Sequence, residues 1–381
     1  MVADECFETG PIRPPSEARS LLVRVTRNCA WNRCTFCPVY KGQTYSVRPV
    51  ASVIRDIDLV HRYICEMRDN EECPGSLKSR WLIDATERAD PRDLPALDMA
   101  YHWYVNGMES VFLQDADALS AGPEELETVL LHLRERFPEV RRVTSYARTS
   151  TILRYCVEDL KRLREAGLDR LHVGFESGSD RVLRMVRKGA SKAMHISAAK
   201  MVKSAGIEFS AYIMPGLGGR RLSLEHAVET ADLLNQVDPD FIRLRQLAVS
   251  DRSPLHHDLA EGRFETCRDV DVARELVKML DHMDRVTGVL TSDHILNLFP
   301  EVTGKLPGCI KQSKAALCRF LNLSRSEQQL YALGRRLGVF SRVSELEDSV
   351  KADRVRRWAQ ENGITEDNVE RFLEAVVQSF I

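Results

Sequence analysis

Short β-branched or apolar segments alternate along this chain with longer helical patterns, and that alternation constrains the fold more than any single motif does. Residues 21–26, Ser110–Gln114, Arg142–Ala147, 170–175, 209–214 and 241–247 read as strands. Helical patterns fill intervals at 51–67, Pro123–Arg136, 157–166, 192–205 and 224–236, and Gly167 and Gly206 stand where a helix C-cap favours glycine. Strands separated by helices pair in parallel, because each parallel neighbour needs a crossover connection. The expected architecture is therefore α/β, a partial (βα)6 TIM-like barrel over residues 21–250 behind an N-terminal arm over 1–20. Beyond about Ser250 the strand signals fade, which predicts a mostly helical C-terminal domain over 251–381. Parallel barrels carry their chemistry at the carboxyl ends of the strands, so the residues just after each strand are the ones to search.

Three thiols stand at the first of those ends. Cys29, Cys34 and Cys37 lie in the run Asn28-Cys29-Ala30-Trp31-Asn32-Arg33-Cys34-Thr35-Phe36-Cys37-Pro38, just after the apolar segment 21–25. A closed structural zinc site takes four ligands. No cysteine occurs between Val39 and Ile64, and the nearest histidine is the distant His61. Three thiolates without a fourth ligand suit an iron–sulfur cluster with one iron left open. Unrelated buried thiols are the alternative.

Composition agrees with an enzyme of a reducing compartment. A chain of 381 residues has ample core to fold without disulfides, and ten cysteines are too few for a disulfide scaffold. The first five residues lack a signal pattern, no apolar run reaches the length of a membrane span, and the formal net charge is -2. A cytoplasmic protein is expected, without a membrane partner and without nucleic acid as an expected partner.

The cysteine loop resembles the cluster loop of radical S-adenosylmethionine (SAM) enzymes, including the aromatic Phe36 before the third cysteine. It departs from the usual spacing by having four residues, not three, between the first two cysteines. The resemblance implies a [4Fe-4S] cluster on Cys29, Cys34 and Cys37, with SAM bound at the open iron. It also implies an external electron donor such as flavodoxin or ferredoxin. Reductive cleavage of SAM would then yield a 5′-deoxyadenosyl radical that abstracts hydrogen from an unknown substrate.

A second stretch, Val173-Gly174-Phe175-Glu176-Ser177-Gly178-Ser179 followed by Arg187-Lys188-Gly189, resembles the fourth strand and turn of the methylthiotransferase and oxygen-independent coproporphyrinogen oxidase branch. By that resemblance Glu176, with Ser177 beside it, contacts SAM, and Lys188 pairs with the SAM carboxylate. The chemistry is apt, since SAM offers a carboxylate, an ammonium and ribose hydroxyls. An ordinary surface ion pair is the alternative. At the second strand end, Gln114, Asp115 and Asp117 replace a Gly-Gly-Glu-like turn as candidate acceptors for the SAM ammonium, and which of them accepts is open. Tyr212, Met214 and Gly216 resemble the fifth-strand turn beside adenine and ribose. Ala248 follows the sixth strand, whose backbone would meet adenine, and Arg148 follows the third. Core packing or a solvated turn is the alternative for each.

The remaining cysteines are too scattered for a second cluster loop and are expected as buried thiols. The long interval 65–104 holds Cys73, Trp81 and the run Tyr101-His102-Trp103-Tyr104, read either as a cover for the barrel mouth or as a helix packed on the barrel. Substrate choice is expected from this interval and from residues after Ser250. His294 is a candidate acid or base, with a local hydrogen bond as the alternative. Two rival functions remain, a non-catalytic iron–sulfur electron-transfer or binding protein and a zinc-stabilised RNA-binding protein.

Overall fold

In a computed structural model the described residues are 6–71 and 79–378, so Cys73 lies outside them. The chain forms a mostly parallel sheet of eight strands in the order Leu21–Arg24, Ser110–Gln114, Arg142–Ala147, Arg170–Glu176, Glu208–Ile213, Phe241–Leu244, Val289–Thr291 and Gly304–Lys305. The first six are the strands expected from the sequence. Helices Val50–Asp69, Pro123–Arg136, Val157–Glu165, Lys192–Ser204 and Gly219–Val237 lie between them. The last two strands correct the expectation that the signal ends at Ser250: Val289–Thr291 runs parallel to Phe241–Leu244, and Gly304–Lys305 is antiparallel to it. Strands of three and two residues are too short to show a periodicity. No helix among the described residues is long and apolar enough to cross a membrane.

The chain divides into two compact units. The first comprises Met1–Ala30, Gly42–Val173 and Lys200–Phe209. Its strand Ser110–Gln114 is buried at every position, as a central parallel strand covered on both faces must be. The short hairpin of Thr26–Arg27 with Ser46–Val47 takes up the chain where the first strand stops pairing, shortening the expected 21–26. Helix Leu94–Val105 packs through fully buried Trp103, whose indole Nε1 donates to the Ser110 carbonyl at 2.9 Å and whose ring meets Phe137 edge-on at 4.9 Å. Ser110 begins its strand, so this aromatic helix serves the sheet at the end opposite the chemistry and does not cover a mouth. Burying a side chain of that size contributes about 3 kcal/mol or more.

The second unit comprises Trp31–Lys41, Gly174–Ala199 and Ser210–Ile381. It takes residues from both sides of position 250, so the compact units follow a different division from the three expected segments. One apolar cluster joins Phe36, Val182, Val186, Met214, Leu217, Val249 and Leu255, with Cys34 and Cys37 packed against it. Farther along, Phe299, Phe320, Tyr331 and Phe340 interlock through rings 5.0 to 6.4 Å apart.

The scattered cysteines are not a set of buried thiols. Cys309 is buried, Cys65 and Cys267 are half-buried, and Cys6, Cys156 and Cys318 are exposed. Cys156 has a local role instead, its sulfur accepting from the backbone of Asp159 at the start of helix Val157–Glu165.

Candidate functional site

Within the second unit the cysteine loop and the Glu176–Gly189 stretch meet. The backbone N–H of Thr35 donates to the Val186 carbonyl at 3.0 Å, and the Trp31 indole donates to the Arg187 carbonyl at 2.8 Å. Gly189 has φ +73°, and a Cβ there would stand 2.5 Å from the Trp31 ring, so only glycine admits both the turn and the indole. The loop is tied again where Leu255 donates to the Thr35 carbonyl at 2.8 Å. Cys34 and Cys37 are thus half-buried thiols on a braced loop, with an apolar floor beneath them. Cys29, also half-buried, belongs to the first unit.

Glu176 and Lys188 form an ion pair, Nζ to Oε1 at 2.8 Å, with 11% and 13% of their side-chain surfaces exposed. The ammonium also stands 5.9 Å from the centroid of the Phe36 ring, so Phe36 links the cysteine loop to the pair. Among the described residues Glu176 Oε2 has no hydrogen-bond partner. Glu176 itself has φ +64°, a left-handed conformation that a non-glycine residue adopts at some cost. His195, which the sequence reading did not single out, lies near Lys188. Burial, reinforced by the Lys188 charge, pushes its pKa down to about 3, so it contributes no cation.

The neighbouring turns supply the rest of this surface. Ser177 is fully buried, its hydroxyl 2.8 Å from His226 Nδ1. Met214 donates its N–H to the Glu176 carbonyl at 3.0 Å and buries its side chain in the cluster with Phe36. Gly216 turns at φ +84°. Tyr212 and Ala248 are half-buried, and Leu247 donates to the Pro215 carbonyl at 2.9 Å, which ties the sixth-strand end to the fifth-strand turn.

In the first unit the other candidates are engaged by their own neighbours. Gln114 Oε1 accepts from Gly10 at 2.8 Å, and its amide donates to the carbonyls of Gly10 and Ile12. Asp115 Oδ2 pairs with Arg24 at 2.9 Å and accepts from the Asn28 N–H at 3.1 Å. Asp117 accepts from the Arg148 backbone at 3.2 Å and from the Thr151 hydroxyl at 2.5 Å, fastening helix Thr149–Ile152. Burial raises the Asp117 pKa from 3.8 to about 6. Arg148 is the half-buried residue just before that helix. The N-terminal arm that occupies Gln114 gave no local sequence signal, since its partner is about a hundred residues away.

His294 Nδ1 accepts from the backbone of Leu296 at 3.2 Å, a local hydrogen bond. Burial, with the charge of Arg245, lowers its pKa to about 4.

Among the described residues no three His, Cys, Asp or Glu side chains are grouped as a metal site. The donors themselves fit an iron–sulfur cluster: three thiols on one loop, two of them resting on apolar packing that limits solvent access.

Residues 82–234 match the sequence profile of the Radical SAM superfamily. The match spans the Glu176–Lys188 stretch and begins beyond the cysteine loop. A stretch of 117 residues is 23% identical to a tRNA uridine(34) acetyltransferase of Methanocaldococcus infernus, covering 30% of this chain and 22% of that protein. Over 237 residues the chain is 22% identical to a 4′-phospho-dehydrooxetanocin synthase of Priestia megaterium, covering 58% of this chain and 27% of that protein. Among solved structures, coproporphyrinogen III oxidase from Escherichia coli is similar with a TM-score of 0.45 and 14% identity, covering 69% of this chain and 52% of the other. The chain thus spans about a quarter of the length of these curated relatives. Two of the relatives are named for a tRNA uridine, so the comparisons lend no support to leaving nucleic acid out of the expected partners.

Proposed function

We propose that this chain, which belongs to the radical SAM superfamily, holds a [4Fe-4S] cluster on Cys29, Cys34 and Cys37 and binds SAM beside it through Glu176 and Lys188. The observation that carries this reading is the docking of the cysteine loop onto the Glu176–Gly189 stretch through Trp31, Thr35 and Phe36. These contacts hold together two motifs that are more than a hundred residues apart in sequence, which is what a shared cluster and SAM site would need. Cluster and SAM together supply one-electron cleavage to a hydrogen-abstracting radical.

The protein residues bind, orient and shield. Lys188 offers a cation for a ligand carboxylate, while Glu176 Oε2 offers an acceptor for an ammonium or a ribose hydroxyl. Phe36, Met214 and Val249 exclude water from the floor on which Cys34 and Cys37 rest. Buried Ser177 supports the pair from beneath through His226, and the turn at Tyr212–Gly216, tied to the Ala248 end of the sixth strand through Leu247, would flank the ligand. Gln114, Asp115, Asp117 and Arg148 are assigned to holding the first unit together, because their groups are engaged by protein.

The substrate and the electron donor are open, the donor being of the flavodoxin or ferredoxin class. Nucleic acid belongs among the substrates to test. Anaerobic reconstitution with iron and sulfide, followed by SAM and a reductant, should yield 5′-deoxyadenosine. A cluster that forms while SAM neither binds nor is cleaved would favour the electron-transfer reading instead.

A further inference from the structure

Helix Asp269–Asp281 lies beyond the stretch that matches the superfamily profile, yet it sends a carboxylate into the turns assigned to SAM. Glu275 is 4% exposed. Its Oε1 accepts from the backbone N–H of Gly216 at 2.7 Å, and its Oε2 accepts from the Ser223 hydroxyl at 2.5 Å. His226 Nε2 stands 3.7 Å from the same carboxylate.

His226 carries the connection onward. Its Nε2 is 3.1 Å from the Met214 carbonyl, and its Nδ1 is 2.8 Å from the Ser177 hydroxyl. A neutral imidazole with its proton on Nε2 satisfies both, donating to Met214 and accepting from Ser177. The Ser177 oxygen also accepts from the Ser179 N–H at 3.0 Å. One hydrogen-bonded network therefore spans Glu275, the Met214–Gly216 turn and the Ser177–Ser179 turn.

Burying a carboxylate is costly, and burial does raise the Glu275 pKa, opposed by the Ser223 hydroxyl and by the Gly216 N–H. For stability alone, an apolar side chain of similar volume would serve as well. What a carboxylate adds is direction. It fixes the amide of Gly216, a residue at φ +84° whose peptide otherwise has the freedom of glycine.

We infer that Glu275 is a positioning residue for SAM: from the C-terminal portion of the chain it sets the Met214–Gly216 turn and, through His226, the Ser177 turn. The inference rests on the SAM site proposed above. It means that the segment after Ser250 shapes the cofactor surface as well as any substrate surface.

The test uses the full chain, reconstituted anaerobically, with SAM affinity measured beside iron content and visible absorption. Glu275→Ala should weaken SAM binding roughly tenfold or more while leaving the cluster intact, as expected for a lost charge-assisted hydrogen bond that acts on the ligand site. Glu275→Gln keeps an acceptor toward Gly216 and should restore affinity to near the wild-type value. Lys188→Ala serves as the reference. If Lys188→Ala loses affinity and Glu275→Ala does not, the inference fails alone. If neither loses affinity, the proposed SAM site fails and takes the inference with it. A merely structural role would lower affinity in the Ala and Gln variants alike, in step with their thermal midpoints, and that result also overturns the inference. Should Glu275→Ala not fold, Glu275→Asp, which keeps the charge but withdraws it from Gly216, carries the same test with the same outcomes.

Discussion

At the end of one strand, Gln114, Asp115 and Asp117 give their side chains to the N-terminal arm, to Arg24 and to the Thr149–Ile152 helix. At the end of another, Glu176 gives one oxygen to Lys188 and keeps the second without a hydrogen-bond partner among the described residues. The three residues of the first turn are at most 1% exposed, whereas the ion pair keeps about a tenth of each side chain open to solvent. Polar residues of the same types at equivalent strand ends thus have different uses. Where protein groups satisfy them they build the fold, and where hydrogen-bonding capacity is left over they are available to a ligand.

The contrast depends on the cluster loop being what the second turn serves, and the largest effect follows from that. Cys29→Ala, Cys34→Ala and Cys37→Ala should each abolish the cluster, because a lost thiolate leaves an iron without its protein ligand. Iron content and visible absorption of the anaerobic protein are the measurements. Cys318→Ala, at an exposed thiol outside the loop, should retain both. Full iron in any one of the three loop variants would remove the basis of the comparison.

The next effect separates the two turns directly. Lys188→Ala leaves Glu176 partly buried without its cation and removes the partner proposed for the SAM carboxylate, so SAM binding should weaken by roughly 1.5–3 kcal/mol with the cluster retained. Gln114→Ala should do the reverse. It strands the N–H and carbonyl of Gly10 and the carbonyl of Ile12, lowering the thermal midpoint while SAM affinity holds. Equal losses of SAM affinity in both variants would break the distinction.

What the sequence showed and what it hid follow from the distance between partners. The six main strands were legible because short runs of apolar and β-branched residues stand between helical patterns, as Val111, Phe112 and Leu113 do in Ser110–Gln114. Cys29, Cys34, Cys37, Glu176 and Lys188 were legible because they sit in short runs that resemble a family. The fate of Gln114 was not, since its partners lie in the N-terminal arm. Glu275 did leave a trace: it falls on the stripe of Val272, Ala273, Leu276, Met279 and Leu280, all buried, where an amphipathic helix has no ordinary place for a charge. His195 and His226 left none, because a histidine in a helix reads the same whether buried or exposed.

A subtler difference between the turns is how their acids respond to pH. Burial raises the Asp117 pKa to about 6, so the folded form binds the proton more tightly than the unfolded form does. Its contribution is then present in full below about pH 4 and is lost as pH rises through 6, a decline on the order of 3 kcal/mol. Glu17, in the same unit, runs the other way. Burial opposes it, but His172, Ser20 and Arg142 hold its pKa at about 2, so its contribution is present above about pH 4.5 and is lost as pH falls through 2. Asp117→Asn should flatten the decline between pH 4 and 6 in denaturant titrations while leaving the acid limb set by Glu17. An unchanged profile would show that Asp117 is ionised in the fold without penalty, and so less enclosed than its turn implies.

The smallest effect probes the open turn without deleting any of its charges. Gly174 precedes Glu176 on the same strand, and a Cβ there would stand 2.8 Å from Lys188 Nζ and closer still to Glu176 Oε1. Its backbone is not in the left-handed region, so alanine suits the strand and should change stability by no more than about 0.5–1 kcal/mol, in the favourable direction if packing allows. The atoms in the way are the far ends of two flexible side chains, which must move aside by about 1 Å to reach ordinary van der Waals contact. Gly174→Ala should therefore fold with its cluster intact and bind SAM only a few-fold more weakly, on the order of 1 kcal/mol and less than Lys188→Ala, because the pair is displaced but not removed. The thermal midpoint should move by no more than a few degrees, as that small change in stability implies. Wild-type SAM affinity in Gly174→Ala would mean that the position of the ion pair does not matter to the ligand, and would leave Lys188 acting only as a diffuse charge.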